Sequence, residues 1–282
     1  MTAAPGFDST RTSASLPPLQ LSTNYRQSVP LIEQRIRRMS EERGALRILE
    51  AGCGAKWPLD LRGTEYILTA LDVDLAALEM RKTTLREVDE IMVGDLRDAG
   101  LFAASSFDVI YNSFVLEHVA GAECVLDNFR RWLTPGGLLV LRIPDRDSVY
   151  GFLARVTPFR LHVAYKKHVQ GMKNAGKPGY DPYPTHYDAV VSRRGVHAYC
   201  RKHDCTIRHE AGFAGYLPST PLIGAFSRVL VRSIAALSLG RLDWRHNNLT
   251  FLIEKQPASS AVTASASGAG VKTAAKLLQT AK

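Results

Sequence analysis

The residues Leu49-Glu50-Ala51-Gly52-Cys53-Gly54 close a short apolar run and open a glycine turn. Glycine at such a turn lets the backbone approach a ligand closely. Asp72 stands 20 residues after Gly52, at the end of a second apolar run. At that spacing a carboxylate can accept hydrogen bonds from ribose hydroxyls. The pair therefore reads as a nucleoside site. A dinucleotide site would ask for a third glycine and a long helix facing a pyrophosphate. Here Ala55-Lys56-Trp57-Pro58 follow Gly54, and Pro58 and Gly63 interrupt the stretch. NAD and FAD are disfavoured on that ground. Two histidines are the candidates for proton transfer. His118 follows a later apolar run and is the only histidine before residue 160; His186 lies in Tyr183-Pro184-Thr185-His186-Tyr187. Each has a structural alternative. Glu117-His118 can simply start a helix, and His186 can be a loop residue bonded to backbone.

The elements that must position these groups alternate along the chain. Apolar runs at 46–51, 66–72, 90–94, 107–113 and 137–143 have the length and continuity of strands buried on both faces of a parallel sheet. Helical patterns occupy 75–86, after the N-cap residue Asp74, and 121–133, which stops at Pro135-Gly136-Gly137. A helix at 192–203 and strands at 205–209 and 249–254 complete the pattern. Such alternation predicts a doubly wound α/β sheet.

In series, Glu50-x-Gly52-x-Gly54, Asp72, Gly94-Asp95-Leu96, Phe107-Asp108-Val109, Leu116-Glu117-His118-Val119 and Leu133-Thr134-Pro135-Gly136-Gly137 resemble the class I S-adenosylmethionine-dependent methyltransferases. The likeness is nearest to the broad small-molecule, type 11-like group that carries the L-E-H motif, and it spans roughly residues 47–144. The resemblance implies a Rossmann-like seven-stranded doubly wound sheet, its last strand antiparallel, with a helical cap insertion. It implies that Glu50, Gly52, Cys53 and Gly54 cradle the methionine half of S-adenosyl-L-methionine. Asp72 would hold the ribose with Val73 beside the adenine, Asp95 would accept from the adenine amino group, Leu96 would pack on the ring, and Asn112 would lie near the methionine moiety. His118 and His186 are the catalytic candidates. The chain departs from the family where Lys56 replaces a frequent third glycine and where 57–61 lacks a helix pattern.

Charge is concentrated. Six Lys/Arg and no acid lie between Asp147 and Asp181, and three lysines and no acid follow residue 257. Removing these nine from the formal charge of +9 leaves the remainder neutral. The cap insertion, 148–190, is thus basic and aromatic, which fits a small-molecule or amphiphilic, anionic acceptor; an ordinary solvated cover is the alternative. A uniformly basic nucleic-acid binder would look different, so nucleic acid is disfavoured as a partner, with RNA methylation kept as the runner-up and a non-catalytic cofactor-binding module as a third reading. An apolar arm, 217–242, places Arg228 and Arg232 on one helical face. It can pack as a cap helix, form a dimer contact or lie as a peripheral helix in a membrane interface. The methyltransferase domain is expected over 25–256, between a disordered tail, 1–24, and a low-complexity tail, 257–282.

Other chemistries lack their residues. Asn112-Ser113-Phe114-Val115 is not the N-P-P-[FY] of base N-methylation, and no cysteine is placed for base C5 methylation. Cys200 and Cys205 with His197 and His203 are poorly arranged for zinc, so no metal is expected. Four cysteines make no disulfide framework, and no apolar run reaches membrane-spanning length. The first residues lack a signal-peptide apolar core, so a cytoplasmic location is expected.

Overall fold

The computed structural model describes residues 16–53, 57–168, 171–177, 182–214 and 221–257. Eight strands form one sheet: β1 (Gln20–Ser22), β2 (Leu46–Ala51), β3 (Tyr66–Asp72), β4 (Glu90–Val93), β5 (Phe107–Ser113), β6 (Leu133–Pro144), β7 (Cys205–Phe213) and β8 (Asn248–Lys255). Their order across the sheet is β1-β7-β8-β6-β5-β2-β3-β4. Only β8 runs antiparallel to its neighbours, β6 and β7. The helices are α1 (Val29–Arg43), α2 (Leu75–Glu79), α3 (Ala122–Trp132), α4 (Val149–Val156), α5 (Phe159–His168), α6 (Arg193–Lys202) and α7 (Pro221–Leu237).

The near-continuous apolar strands are explained by burial on both faces. In β2, Leu46 and Ile48 enter one core with Ile32, Ile36 and Met39 of α1 and Leu78 of α2. Leu49 and Ala51 enter the other, with Phe129 and Trp132 of α3 and Val196 and Tyr199 of α6. Side-chain alternation along the strand separates the two sets.

The sheet has eight strands rather than the expected seven. The extra strand, β1, lies in the segment read from composition as the end of a disordered tail. It pairs parallel to β7, Leu21 opposite Gly212. Leu19 packs against the core, and Arg193 donates to the Pro17 carbonyl oxygen. Residues 16–24 thus belong to the domain, while 1–15 and 258–282 fall outside the described residues.

Two local departures shape the site. First, among the described residues no helix lies between β2 and β3. Residues 57–61 run without regular structure and bury Leu59 and Leu61 against α1, and the Asp60 N–H donates to Glu33 Oε1 at 2.7 Å. Pro58 and Gly63 exclude a long helix here, and α1 covers the exposed sheet face instead. Second, the helix expected over 75–86 is regular only to Glu79 and then widens into a π turn, Met80–Leu85. Its N-cap is as expected: Asp74 accepts from the Ala76 and Ala77 N–H groups.

Candidate active site

Strand register brings the motif residues to one edge of the sheet. Ala51 pairs with Leu71 on one side and Asn112 on the other, and Asp72 pairs with Val93. Gly52 and Cys53, Asp72 and Val73, Asp95 and Leu96, and Asn112 therefore stand at the carboxyl ends of four adjacent parallel strands, where open α/β sheets bind ligands.

Gly52 has φ +78°, and a Cβ there would lie 2.3 Å from Val115 Cγ2. A side chain is excluded both by backbone conformation and by space. The Gly52 N–H donates to the Leu71 carbonyl at 2.8 Å, fixing the turn to β3. Asp72 is half-buried; its Oδ1 accepts from the Asp74 N–H at 3.1 Å, and its Oδ2 is 3.8 Å from Cys53 Sγ. Burial, reinforced by Asp72, pushes the Cys53 thiol up to about 11, so it stays protonated and unreactive. Val73 is 72% exposed and offers an apolar face beside Asp72. Asp95 is held by the Arg97 guanidinium and backbone N–H, which lower its carboxyl to about 2. A carboxylate has about four acceptor sites, so it retains capacity for a ligand donor. Leu96 is buried, and its carbonyl accepts from Asn128 Nδ2 at 2.8 Å. Asn112 is fully buried: its Nδ2 donates to the Ala51 carbonyl at 2.8 Å, and its Oδ1 has no partner. Gly54 and Lys56 lie outside the described residues.

Glu50 carries a contact that the sequence pattern did not reveal. Its Oε2 accepts from Arg81 Nη1 at 2.6 Å, and the same nitrogen donates to the Cys53 carbonyl at 2.8 Å. Arg81 is completely buried. Burial raises the Glu50 carboxyl, and the guanidinium draws it back. Arg81 Nε lies 3.5 Å from Glu87 Oε2, which also accepts from the Trp57 N–H at 3.1 Å. One guanidinium thus ties β2, the glycine turn and the helix-less segment together. Position 81 stands three residues after the buried Leu78, on the same helical face, although an arginine there reads from sequence as one more surface cation.

The two candidate histidines are brought together. His118 Nδ1 is 2.7 Å from the Pro184 carbonyl oxygen, and the His186 N–H donates to the Glu117 carbonyl at 2.7 Å. A carbonyl can only accept, so Nδ1 carries the proton and Nε2 of the neutral ring presents its lone pair. Burial lowers the His118 pKa, opposed by the Pro184 bond, and nearby His186 lowers it further. The Tyr183 ring meets His118 edge-on at 5.8 Å. The His186 side chain is exposed. Two further residues were not picked out from sequence. Asp188 Oδ2 accepts from the Gly121 and Ala122 N–H groups at 2.7 and 2.8 Å, pinning this segment to the start of α3. Glu117 is buried, with Oε1 3.8 Å from His118 Nε2 and Oε2 unpartnered. Burial pushes its carboxyl up to about 8.

Residues 182–187 also form part of a 610 Å³ cavity. Pro182 and Tyr187 line it, as do Pro144 at the end of β6, Tyr150 and Leu153 of α4, Leu161, His162, Tyr165 and Lys166 of α5, and Leu230 and Val231 of α7. Desolvation lowers the Lys166 pKa. Tyr180 lies outside the described residues, as does part of the expected arm. Among the described residues, no group of three or more His, Cys, Asp or Glu could hold a metal ion. His197 instead bonds Glu210 at 2.8 Å, and His203 stacks on Tyr199.

Residues 49–141 match the family model of a methyltransferase domain. Among solved structures, loganic acid methyltransferase with SAH is 12% identical, with a TM-score of 0.52 over 83% of this chain and 93% of that one. A Bacillus halodurans structure described as a methyltransferase is 12% identical, with a TM-score of 0.50 over 80% of this chain and 98% of that one. No curated protein matches the sequence. Residues 49–141 thus match a methyltransferase domain and the fold is that of these solved methyltransferases, one of which holds SAH; the cofactor this likeness implies is S-adenosylmethionine. The residues fit that group: the cradle at Gly52 leaves no room for a Cβ, and acids rather than a phosphate-binding turn line the edge.

Proposed function

We propose that the chain methylates a hydroxyl group on an amphiphilic, negatively charged small molecule or lipid- or sugar-linked acceptor. Gly52 and Cys53 hold the methionine portion of the cofactor through backbone, with Glu50 fixed beneath them by Arg81. Asp72 receives the ribose hydroxyls, Val73 and Leu96 flank the adenine, Asp95 accepts from its amino group, and Asn112 shapes the floor. Bound S-adenosylmethionine supplies an electrophilic methyl group.

The remaining work falls to His118 and Glu117, which are bonded to the 182–187 segment, and to the lining of the cavity. A hydroxyl is a weak nucleophile until its proton is removed. His118 is suited to remove it, because its protonated Nδ1 is spent on Pro184 and its Nε2 is the basic atom. This fixed tautomer is the observation that carries the reading. Glu117, 3.8 Å away, keeps its proton near neutral pH and sets a neutral carboxyl beside Nε2. Lys166 lines the cavity and meets negative charge on the acceptor, while Leu153, Leu161 and Val231 provide an apolar wall. Positioning of this kind is worth up to about 7–11 kcal/mol in favourable intramolecular systems.

The test is labelled-methyl transfer into fractionated cell extract, with mass identification of the product, for the wild type and for His118→Asn. An O-methylated anionic amphiphile is expected, with kcat reduced about 10²-fold or more in the variant. For the wild type, kcat should fall as pH drops through a value below the ordinary histidine 6.5, as His118 protonates. An N-methylated product formed equally fast by the variant would refute the assignment.

A further inference from the structure

The cavity opens on a face whose chemistry the methyl-transfer reaction does not use. Leu161, Tyr165 and Leu230 line the cavity and are also 58%, 43% and 44% exposed, so they form its rim. Two helices, α5 and α7, supply that rim. Beyond it, Phe159 on α5 and Val229 on α7 are 41% and 65% exposed. Exposed apolar residues scattered singly are ordinary; gathered around one opening they mark a surface that is covered in use.

The charge on the same elements has one sign. Neither α4, α5 nor α7 contains an Asp or Glu. Arg160 and Lys167 on α5 and Arg228 on α7 are exposed, and none meets a carboxylate among the described residues. An apolar rim set among unneutralised cations is the pattern of elements that lie in the headgroup region of a bilayer, apolar groups entering the acyl boundary and cations meeting anionic lipid. Two copies of this face pressed together would oppose cation to cation, which disfavours a symmetric dimer here. Among the described residues no helix is long and apolar enough to cross a membrane, so the contact is peripheral.

We propose that the α5–α7 face docks on an anionic lipid surface and that the 610 Å³ cavity takes its acceptor directly from that surface. The docking stands on the exposed residues alone. The origin of the acceptor rests additionally on the reading of the cavity as the acceptor site.

The experiment is flotation of the full chain with phosphatidylcholine vesicles, with and without phosphatidylserine, in the absence of cofactor and acceptor. The wild type should bind the phosphatidylserine vesicles about tenfold or more tightly than the neutral ones, and high salt should weaken that binding. Two variants separate the contributions. Leu161→Asp with Leu230→Asp removes the apolar rim, and Arg160→Gln with Lys167→Gln and Arg228→Gln removes the charge. Each should lose about tenfold in vesicle binding while keeping the wild-type melting temperature and cofactor affinity. All five residues are exposed, so the variants should fold. Absence of wild-type binding, or equal binding to neutral vesicles, would overturn the proposal. So would a wild-type dimer dissociated by the rim variant, which would make the face a self-interface, or capture of an acidic protein without vesicle binding. Since neither cofactor nor acceptor is present, failure here leaves the methyl-transfer assignment standing, and failure of methyl transfer leaves the docking result standing.

Discussion

Replacing Glu117 with Gln tests the electrostatics of the site through stability alone. The carboxyl is buried, its Oε2 has no hydrogen-bond partner, and no cation is among the causes of its shift; desolvation, opposed only by a hydrogen bond from its own backbone N–H, moves it from 4.5 to about 8. The folded protein therefore holds a proton between these values that the unfolded chain has released. For an acid whose folded pKa is raised, stability is highest at low pH and is lost as pH rises toward the folded pKa. Each pH unit within the window costs about 1.4 kcal/mol, so from pH 5 to pH 8 the loss approaches about 3–4 kcal/mol, an upper bound because water admitted to the site would reduce it. Gln keeps the shape, stays neutral at every pH and presents its amide toward His118 Nε2. Urea unfolding of both proteins from pH 5 to pH 8 gives the difference in stability, from which every other titrating group cancels. The variant should gain on the wild type steadily as pH rises. A difference that is flat across the window would refute the burial argument and, with it, the role of Glu117 beside His118.

Two further outcomes follow from the geometry. Asp72→Ala should weaken S-adenosylmethionine binding by roughly 1–3 kcal/mol, because ribose hydroxyls lose a charged acceptor, and Gly52→Val should abolish it; calorimetric titration reads both, and unchanged affinity in Asp72→Ala would remove the carboxylate from the site. Deleting residues 1–22 should lower the melting temperature, since it removes β1, the Leu19 contact and the Pro17 partner of Arg193, whereas deleting 262–282 should leave it unchanged.

The parts of the fold that were legible are those whose signal is local. The strands at 46–51, 66–72 and 107–113 coincide with β2, β3 and β5, because burial on both faces leaves an uninterrupted apolar run. The Asp74 cap announces α2 because capping needs only a side-chain oxygen and two nearby N–H groups. By contrast, α1 carries its buried residues at Ile32, Ile36 and Met39, a helical spacing hidden among seven charged side chains in fifteen residues. Strand β1 was hidden differently. Three residues, Gln20-Leu21-Ser22, carry no periodicity of their own, and the strand exists because β7 offers an unpaired edge.

The site divides along the same line. Gly52, Asp72 and Asp95 are legible because the turn and the proposed ribose and adenine contacts would each impose one residue type at the end of a strand. Arg81 and Asp188 act across sequence separations of 31 and 66 residues, to Glu50 and Ala122 respectively. Their spacing follows no short motif, and their roles arise from where tertiary structure removes water. Arg81 shows the consequence. A chain that lacks a helix after its glycine turn loses that helix's support for the turn, and a guanidinium buried at 0% exposure takes its place, bonded to the Glu50 carboxylate and to the Cys53 carbonyl. Removing one partner of such a pair leaves an uncompensated buried charge and typically costs about 3–5 kcal/mol. The glycine turn is therefore held by an ion pair from a neighbouring π turn, and its rigidity depends on a residue that the glycine motif does not contain.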